Sequence, residues 1–430
     1  MLGVGIDWAE QFHLVALGSP DEGVSEVVRV EHTAPAVTAL ITRLGQLEPD
    51  PAEVRVVIET SHGMLVEALV DAGYTVLPVN PDLIARRRGP ARKKDDTEDA
   101  RIACLLALDR FTSLRPLIPH GPVAAELRAI ARDDERAARD ERRLLNRLRA
   151  DLIATFPTAL IIADDDLGAP TFLRLIQSWP TADELRAATR EDITTLARAG
   201  RHGWPDRLAD RIEQALSRTE VFTARAYLVR AKADTIRLTA GQLLAIGAQR
   251  RAWEKRMGEL LLGAPRRGRA RQPSPTPDGG PHPHGFPGGE IYLSFAGLGD
   301  RLAARVAGEI GDHIDYFTSP NALQCYAGKA PVTRRSGKSE YVVAHRLACN
   351  RHLRDAVQTW AFCSLNQSGW AREFYDSHRA RGHTHHATLR ALGNRWLEVL
   401  WHCLTRGLLY DETIHVANRN RALTPKPAAA

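Results

Sequence analysis

GIDWAEQFHLVAL, residues 5–17, decides how the N-terminal region is read. A short apolar run ends on one carboxylate, Asp7, and a second apolar run follows at once. Short runs rich in Val, Ile and Leu, spaced by a turn-sized gap, predict two strands. A lone acid at a strand tip does no more than close a turn. It gains a chemical role only if other carboxylates reach the same point from later in the chain.

Outward from this stretch, SEVVRVEH reads as a third strand and TAPAVTALITRLGQL has helical spacing of apolar residues. VRVVI (54–58) is a fourth strand, and HGMLVEALVDAG is a helix stopped by Gly73. YTVLPV is a fifth strand, ended by Asn80 and Pro81. One helix then runs to about Arg88, and DTEDARIACLLALDR forms another. Three successive strands followed by alternating units predict a mixed α/β sheet with helices on it.

The partners of Asp7 follow from this order. Glu59 stands after the fourth strand as Asp7 stands after the first. If those strands are neighbours, the two carboxylates lie side by side at one sheet edge. In KKDDTEDA, Asp96 and Asp99 are three apart and share a helix face, whereas Asp95 and Glu98 fall on others. One of the pair can be an acid that favours the helix dipole, but that does not account for the set. Converging carboxylates repel unless a divalent cation neutralises them. Hard oxygen donors favour Mg²⁺ or Mn²⁺, and two such ions can clamp both oxygens of a phosphodiester displacement. The preceding run RRRGPARKK contains Arg86, Arg87, Arg88, Lys93 and Lys94 and no acid. It suits a nucleic-acid backbone. An actin-like ATPase also opens with a strand and GID, but it needs a glycine-rich phosphate loop, and WAEQ has no glycine.

The chain has 430 residues, enough for two or three domains, and a formal net charge of +6. No apolar stretch approaches the ~18–20 residues of a membrane span. The first residues lack the basic start of a signal peptide. Five scattered cysteines without a CxxC pair exclude a disulfide framework and fit a reducing cytoplasm. Residues 122–156 interleave eight arginines with seven acids without a breaker after Pro122, which predicts a long salt-bridged helix. Its apolar seam (Leu127, Ile130, Leu144, Leu145, Leu148, Leu152) calls for a partner helix, in an antiparallel hairpin or a dimerising coil.

FAGLGDRLAARVAGEIGD (295–312) is a Gly-x-Gly turn into a helix, with Gly297 and Gly299 placed to offer backbone N–H groups to a phosphate. Further on, Ser336 lies in RRSGKS between Arg334, Arg335 and Lys338. A serine hydroxyl is a nucleophile only if it loses its proton and the developing phosphate charge is stabilised. The flanking cations supply the second condition.

GIDWAE, VVIETSHG and KKDDTEDA resemble the N-terminal motifs of the DEDD transposases, the Piv-like, one-ten insertion-sequence family. The ordered set Gly-Leu-Gly, Glu-Ile-Gly-Asp, YAGKAP, RSGKS and NRHLR is similar to the family's C-terminal domain. Two positions depart from it. Asp95 stands where a polar uncharged residue is usual, and Ala296 replaces the proline before Gly297. The resemblance implies a RuvC/RNase H-like acidic domain over 1–115 and a helical coiled-coil region over 116–262. A Pro/Gly-rich linker follows at 263–290. A mostly helical transposase domain with a helix-hairpin-helix-like motif spans 291–415, and a disordered tail covers 416–430. It further implies that Asp7, Glu59, Asp96 and Asp99 bind Mg²⁺ or Mn²⁺ and that Ser336 is the nucleophile. Donor and target DNA, a structured non-coding guide RNA, and a homodimer assembling to a tetramer with composite active sites come with the same resemblance. The other reading is a metal-dependent RuvC/RNase H-like nuclease in which Ser336 is structural.

Overall fold

The computed structural model describes residues 1–61, 63–88, 95–109, 114–217, 224–264, 285–336, 339–343 and 349–423, with backbone alone for 332–343 and 418–423. It divides into two compact units, Met1–Pro119 and His120–Ala430.

In the first unit, β1 (Leu2–Asp7), β2 (Phe12–Ser19), β3 (Gly23–Glu31), β4 (Val54–Ile58) and β5 (Thr75–Pro78) form one sheet in the order β3-β2-β1-β4-β5. The first three strands pair antiparallel, and β4 and β5 run parallel to β1. The mixed sheet expected from sequence is therefore present, with the expected first and fourth strands adjacent. Helices α1 (Ala34–Leu47), α2 (Met64–Asp71), α3 (Pro81–Arg88) and α4 (Asp96–Leu108) complete the unit.

Strand alternation sorts β1 into two faces. Val4 and Ile6 enter a core with Leu40, Leu44, Val56 and Leu65. Gly3 and Gly5 point the other way, onto α4. A Cβ on Gly5 would lie 2.2 Å from the Ala100 carbonyl oxygen and 2.1 Å from the Cys104 nitrogen. The helix backbone thus rests directly on the strand, and Cys104 Sγ donates to the Gly3 carbonyl at 3.2 Å. Any larger residue at position 5 pushes α4 off the sheet.

Among the described residues, the second unit is helical apart from one hairpin. Helix α5 (Pro122–Thr155) is long, and five short helices follow: α6 (Thr158–Ala163), α7 (Pro170–Ser178), α8 (Ala182–Ala187), α9 (Arg190–Ala199) and α10 (Pro205–Leu216). Then comes α11 (Ala226–Leu262), closed by Gly263 in the left-handed conformation at φ 72°. Leu127 and Ala131 of α5 share a core with Met257 and Leu261 of α11, whereas Leu148 and Leu152 share another with Ile236 and Leu243. The two helices are therefore antiparallel. The hairpin alternative holds within the chain, and Leu127, Leu148 and Leu152 of the seam are buried there. Ile153 and Leu238 remain exposed.

After residues 265–284, which lie outside the described set, Phe286 docks into the core and its N–H donates to the Leu260 carbonyl. Helices α12 (Gly289–Ser294), α13 (Asp300–Ile310) and α14 (Pro320–Tyr326) lead to strands β6 (Val332–Ser336) and β7 (Ser339–Val343). Helices α15 (Arg351–Ser364), α16 (Gly369–Ala380), α17 (His385–Arg406) and α18 (Glu412–Leu423) end the chain. The hairpin was not read from sequence, and α18 extends into the segment expected to be a disordered tail. None of the five cysteines forms a disulfide. Among the described residues, no helix is long and apolar enough to cross a membrane.

Candidate active site

Asp7 is the last residue of β1, and the β1–β4 pairing runs up to Ile6 opposite Ile58. One further step along both strands reaches Asp7 and Glu59. Both have the parity of the α4 face, that of Gly5 on β1 and of Val57 on β4, which packs with Ala103 and Leu106. On β1, Gly5 lies beside Ala100 whereas Gly3 lies beside Leu108. Helix α4 therefore runs antiparallel to β1, and its first turn points toward the Asp7 end. The three motifs reach one end of one sheet face.

The first turn of α4 assigns its acids different work. Asp95 is the N-cap: its carboxylate accepts the Thr97 N–H at 2.9 Å. Such a cap contributes about 1 kcal/mol. Asp96 is exposed, which leaves it, rather than Asp95, available as the third acid. Asp99 is buried, and Arg88 of α3 grips both its oxygens, Nε to Oδ1 at 2.8 Å and Nη2 to Oδ2 at 2.6 Å. Arg88 is thus turned onto a carboxylate, whereas the backbone-binding role expected of it needs a free guanidinium. Arg86 and Arg87 are exposed, and Lys93 and Lys94 lie outside the described residues.

Hard carboxylate donors from β1, β4 and α4 fit a divalent cation in chemistry and in placement. The side chains are not drawn together around one. Among the described residues, no three His, Cys, Asp or Glu side chains are spaced to hold a metal ion. The fork on Asp99 accounts for part of this, because Arg88 supplies the positive charge that a metal ion would bring.

His13 was missed in the sequence. It is fully buried on β2, and its Nδ1 accepts the Ala9 N–H at 3.4 Å. Its Nε2 meets His32 Nδ1 at 2.8 Å. With Nδ1 accepting, the proton sits on Nε2. Burial first, then neighbouring His32, lowers its pKa and keeps the ring neutral. His13 therefore ties down the turn that follows Asp7. The available signal was a histidine inside an apolar run.

Ser336 is the last residue of β6 and pairs with Ser339, the first of β7, so it stands at the turn end of the hairpin. The side chains of Arg334, Arg335 and Ser336, and all of Lys338, lie outside the described part. The base of the hairpin is anchored by the other motifs. Asn350 donates its backbone N–H to the Tyr326 carbonyl, and its Nδ2 reaches Glu309 at 2.8 Å and the Tyr326 hydroxyl at 2.9 Å. Glu309 is buried and takes a second fork from Arg132, at 2.6 and 2.9 Å. Burial pushes the Glu309 carboxyl up, but the bonds from Arg132 and Asn350 outweigh it and leave the pKa below the usual range. The Glu-Ile-Gly-Asp motif thus locks α13 to α5 and to the N-terminus of α15.

The glycine turn departs from expectation. The Gly297 N–H is taken by Gln367 Oε1 at 3.0 Å, and a Cβ there would lie 2.7 Å from the Ser364 nitrogen. Gly297 is a packing residue at φ 84°, and its amide does not face a ligand. Gly299 is exposed at the N-cap of α13, with open space around it.

Two family models match the chain. One, for DEDD transposases of the IS110 group and described as "Transposase", matches residues 4–157. The other, "Transposase IS116/IS110/IS902 family", matches residues 289–376. The "Mini-circle putative transposase for IS117" of Streptomyces coelicolor is 31% identical over 416 residues, covering 95% of each chain. The chain belongs to the IS110 family of transposases. A 43.6 kDa protein of insertion element IS110 from S. coelicolor is 28% identical, covering 79% of this chain and 78% of its own. A 42 kDa protein of insertion element IS900 from Mycobacterium paratuberculosis is 26% identical, covering 94% and 96%. This transposase acts on DNA, membership implies a divalent metal ion, and the DEDD region implies a RuvC-like fold for its mixed sheet.

Proposed function

We propose that this transposase cuts and rejoins DNA through two half-sites, the acids Asp7, Glu59, Asp96 and Asp99 and the nucleophile Ser336. The observation that carries the reading is the arrival of three acidic motifs at one end of one sheet face. The acids would hold Mg²⁺ or Mn²⁺, which would stabilise charge on the phosphate. Asp99 joins them once Arg88 releases it.

Ser336 Oγ attacks the phosphorus of one strand. The Oγ–P ester forms as a bridging P–O bond breaks, the serine proton leaves, and the departing oxygen takes up a proton as a hydroxyl. Attack by the hydroxyl of another strand reverses these changes and reseals the backbone. The phosphodiester energy is kept in the ester, so no external energy source is needed. Arg334, Arg335 and Lys338 adjoin Ser336 in sequence and supply positive charge for the phosphate. Arg86, Arg87, Lys93, Lys94 and Gly299 would contact nucleic-acid backbone.

The family resemblance supports the remaining parts: a structured guide RNA, composite sites shared between protomers, and a dimer that pairs into a tetramer. With the α5–α11 seam filled within the chain, dimerisation falls to exposed residues such as Ile153 and Leu238. The test is a denaturing gel of protein, labelled DNA and Mg²⁺. Wild type should give a protein–DNA adduct, Ser336→Ala none, and Ser339→Ala much of it. An adduct from Ser336→Ala, or efficient cleavage without any adduct in wild type, sinks the serine and returns the chain to a metal nuclease.

A further inference from the structure

A groove of about 910 Å³ opens between α14, α16 and α17, and the glycine turn is not part of its lining. Its charge is one-sided. Lys329, Arg381, Arg390 and Arg395 line it against a single carboxylate, Glu398. Glu398 bonds Arg395 at 2.9 Å, which leaves Lys329, Arg381 and Arg390 without a carboxylate partner among the described residues. This one-sided charge gives the cleft a positive potential that favours a polyanion.

Lys329 is the least ordinary of them. It is only 4% exposed, and its ammonium reaches Gln358 Oε1 at 2.7 Å. Burial first, and then the charge of Arg390, push its amine down to about 7. Arg354, Asp355 and Cys349 also act on it. An anion in the groove would relieve this strain and hold the amine protonated. Two further features suit nucleotides. Phe374 and His378 stack at 4.0 Å on the wall, and aromatic faces of this kind receive bases. Asn394 Oδ1 is buried in the lining and has no hydrogen-bond partner. It can accept from a base amino group or a sugar hydroxyl.

We infer that this groove binds an unpaired nucleic-acid strand, with its backbone phosphates on Lys329, Arg381 and Arg390 and a base against Phe374 and His378. The volume is that of a pocket for a small ligand, ~300–1,000 Å³. It takes a nucleotide or two of single strand and excludes a duplex. Pro331 lines the groove and β6 begins at the next residue. At ~3.3 Å per residue, the strand reaches Ser336 about 16 Å further on. The groove thus leads a strand toward the hairpin. The inference rests on the nucleic-acid reading above for that direction only.

The test measures fluorescence anisotropy of the full-length protein with an oligonucleotide of about 12 residues. It is supplied as single-stranded DNA, as single-stranded RNA of the same sequence and as the DNA duplex, across roughly 50–200 mM salt. In the Arg381→Ala/Arg390→Ala double variant, affinity for one or both single strands should fall about tenfold. The salt slope should flatten by about 1.4, at ~0.7 per lost phosphate contact. Duplex affinity should hold within about twofold, and the melting curve should match wild type because neither arginine is buried. The single-stranded arm that loses affinity identifies the strand. Unchanged affinity and slope in both single-stranded arms overturn the inference, as does an equal loss with duplex. Adduct formation through Ser336 is read on the gel, so either proposal can fail without the other.

Discussion

Two buried arginine forks, one in each unit, look alike and differ in what surrounds them. Arg88 grips Asp99 in the first unit, and Arg132 grips Glu309 in the second, each through two nitrogen–oxygen bonds. Glu309 has a third donor, Asn350, and that donor is itself held by Tyr326. Its fork is one corner of a network joining α5, α13, α14 and the N-terminus of α15. Asp99 sits in an acid-rich first turn at the end of α4, where Asp95 and Asp96 precede it. A buried pair is costly to break from one side, but the same carboxylate can change cations if another arrives. The Arg132 fork therefore reads as structure, and the Arg88 fork as a counter-ion within the proposed acid site.

The largest effect should separate the two at once. Asp99→Ala, like Asp7→Ala, should lower DNA cleavage on the order of 10³-fold, the scale of removing a charge-stabilising group from an active site. Glu309→Ala should instead lower stability by about 3–5 kcal/mol by stranding Arg132. Single-turnover cleavage and urea unfolding measure the two. If Asp99→Ala retains cleavage and loses stability as Glu309→Ala does, the forks are of one kind and the comparison breaks.

Acid sharpens the Glu309 side. Its folded carboxyl lies below the ordinary value of 4.5, so its contribution is fully present above that value. It is lost as pH falls through the folded pKa, because the unfolded state then binds the proton first. A Glu309→Gln variant should lose stability near neutral pH and approach wild type as the pH falls through the folded pKa of Glu309. Thermal melts across that range check it, and a pH-independent difference would remove the linkage.

A smaller effect tests the Arg88 side. Arg88→Gln should keep the fold and raise Mn²⁺ affinity by about tenfold, the usual size of an effect next to a ligand. Titration calorimetry reads this without any reaction. Unchanged affinity would mean that Arg88 and the metal do not compete for Asp99.

The smallest expected effect belongs to Lys329. Its amine is lowered from 10.5 to about 7 in the folded chain. Between those values the unfolded state holds a proton that the folded state lacks, so stability rises with pH across this window. Lys329→Met should flatten the rise and lift the melting temperature near pH 7 by about 2–4 °C, the shift for ~1 kcal/mol in a large domain. An unaltered pH profile would show that the amine is not strained.

Much of the first unit was legible because its signals are local. Short runs rich in Val, Ile and Leu, with stops at Gly73 and Pro81, mark the strands and the helices between them. That the first and fourth strands are neighbours, which puts Asp7 beside Glu59, was left open in the sequence and decided by the sheet order. The β6–β7 hairpin was not legible: VTRRS and SEYVV are short, charged and only partly apolar, so neither carries a clear period. The fork of Arg88 on Asp99 was not legible for a related reason. It is one of three consecutive arginines with the same local propensity, and only the rotation of α3 turns the last of them inward.

What the sequence by itself determined is the order of most elements, the carboxylates at two strand ends and one helix start, and the family to which those motifs belong. Each of these depends on residue type at fixed chain spacing, which local sterics and hydrophobic period translate directly into structure. The tertiary structure alone decided which cation meets which anion. Arg88 and Asp99 are 11 apart, whereas Arg132 and Glu309 are 177 apart, yet both close to hydrogen-bond distance. It also decided that the Gly297 amide turns to Gln367, and that Lys329 is buried beneath Gln358. Charge pairing depends on distance through space, and that distance exists only once α4 lies on Gly5 and α13 on α5.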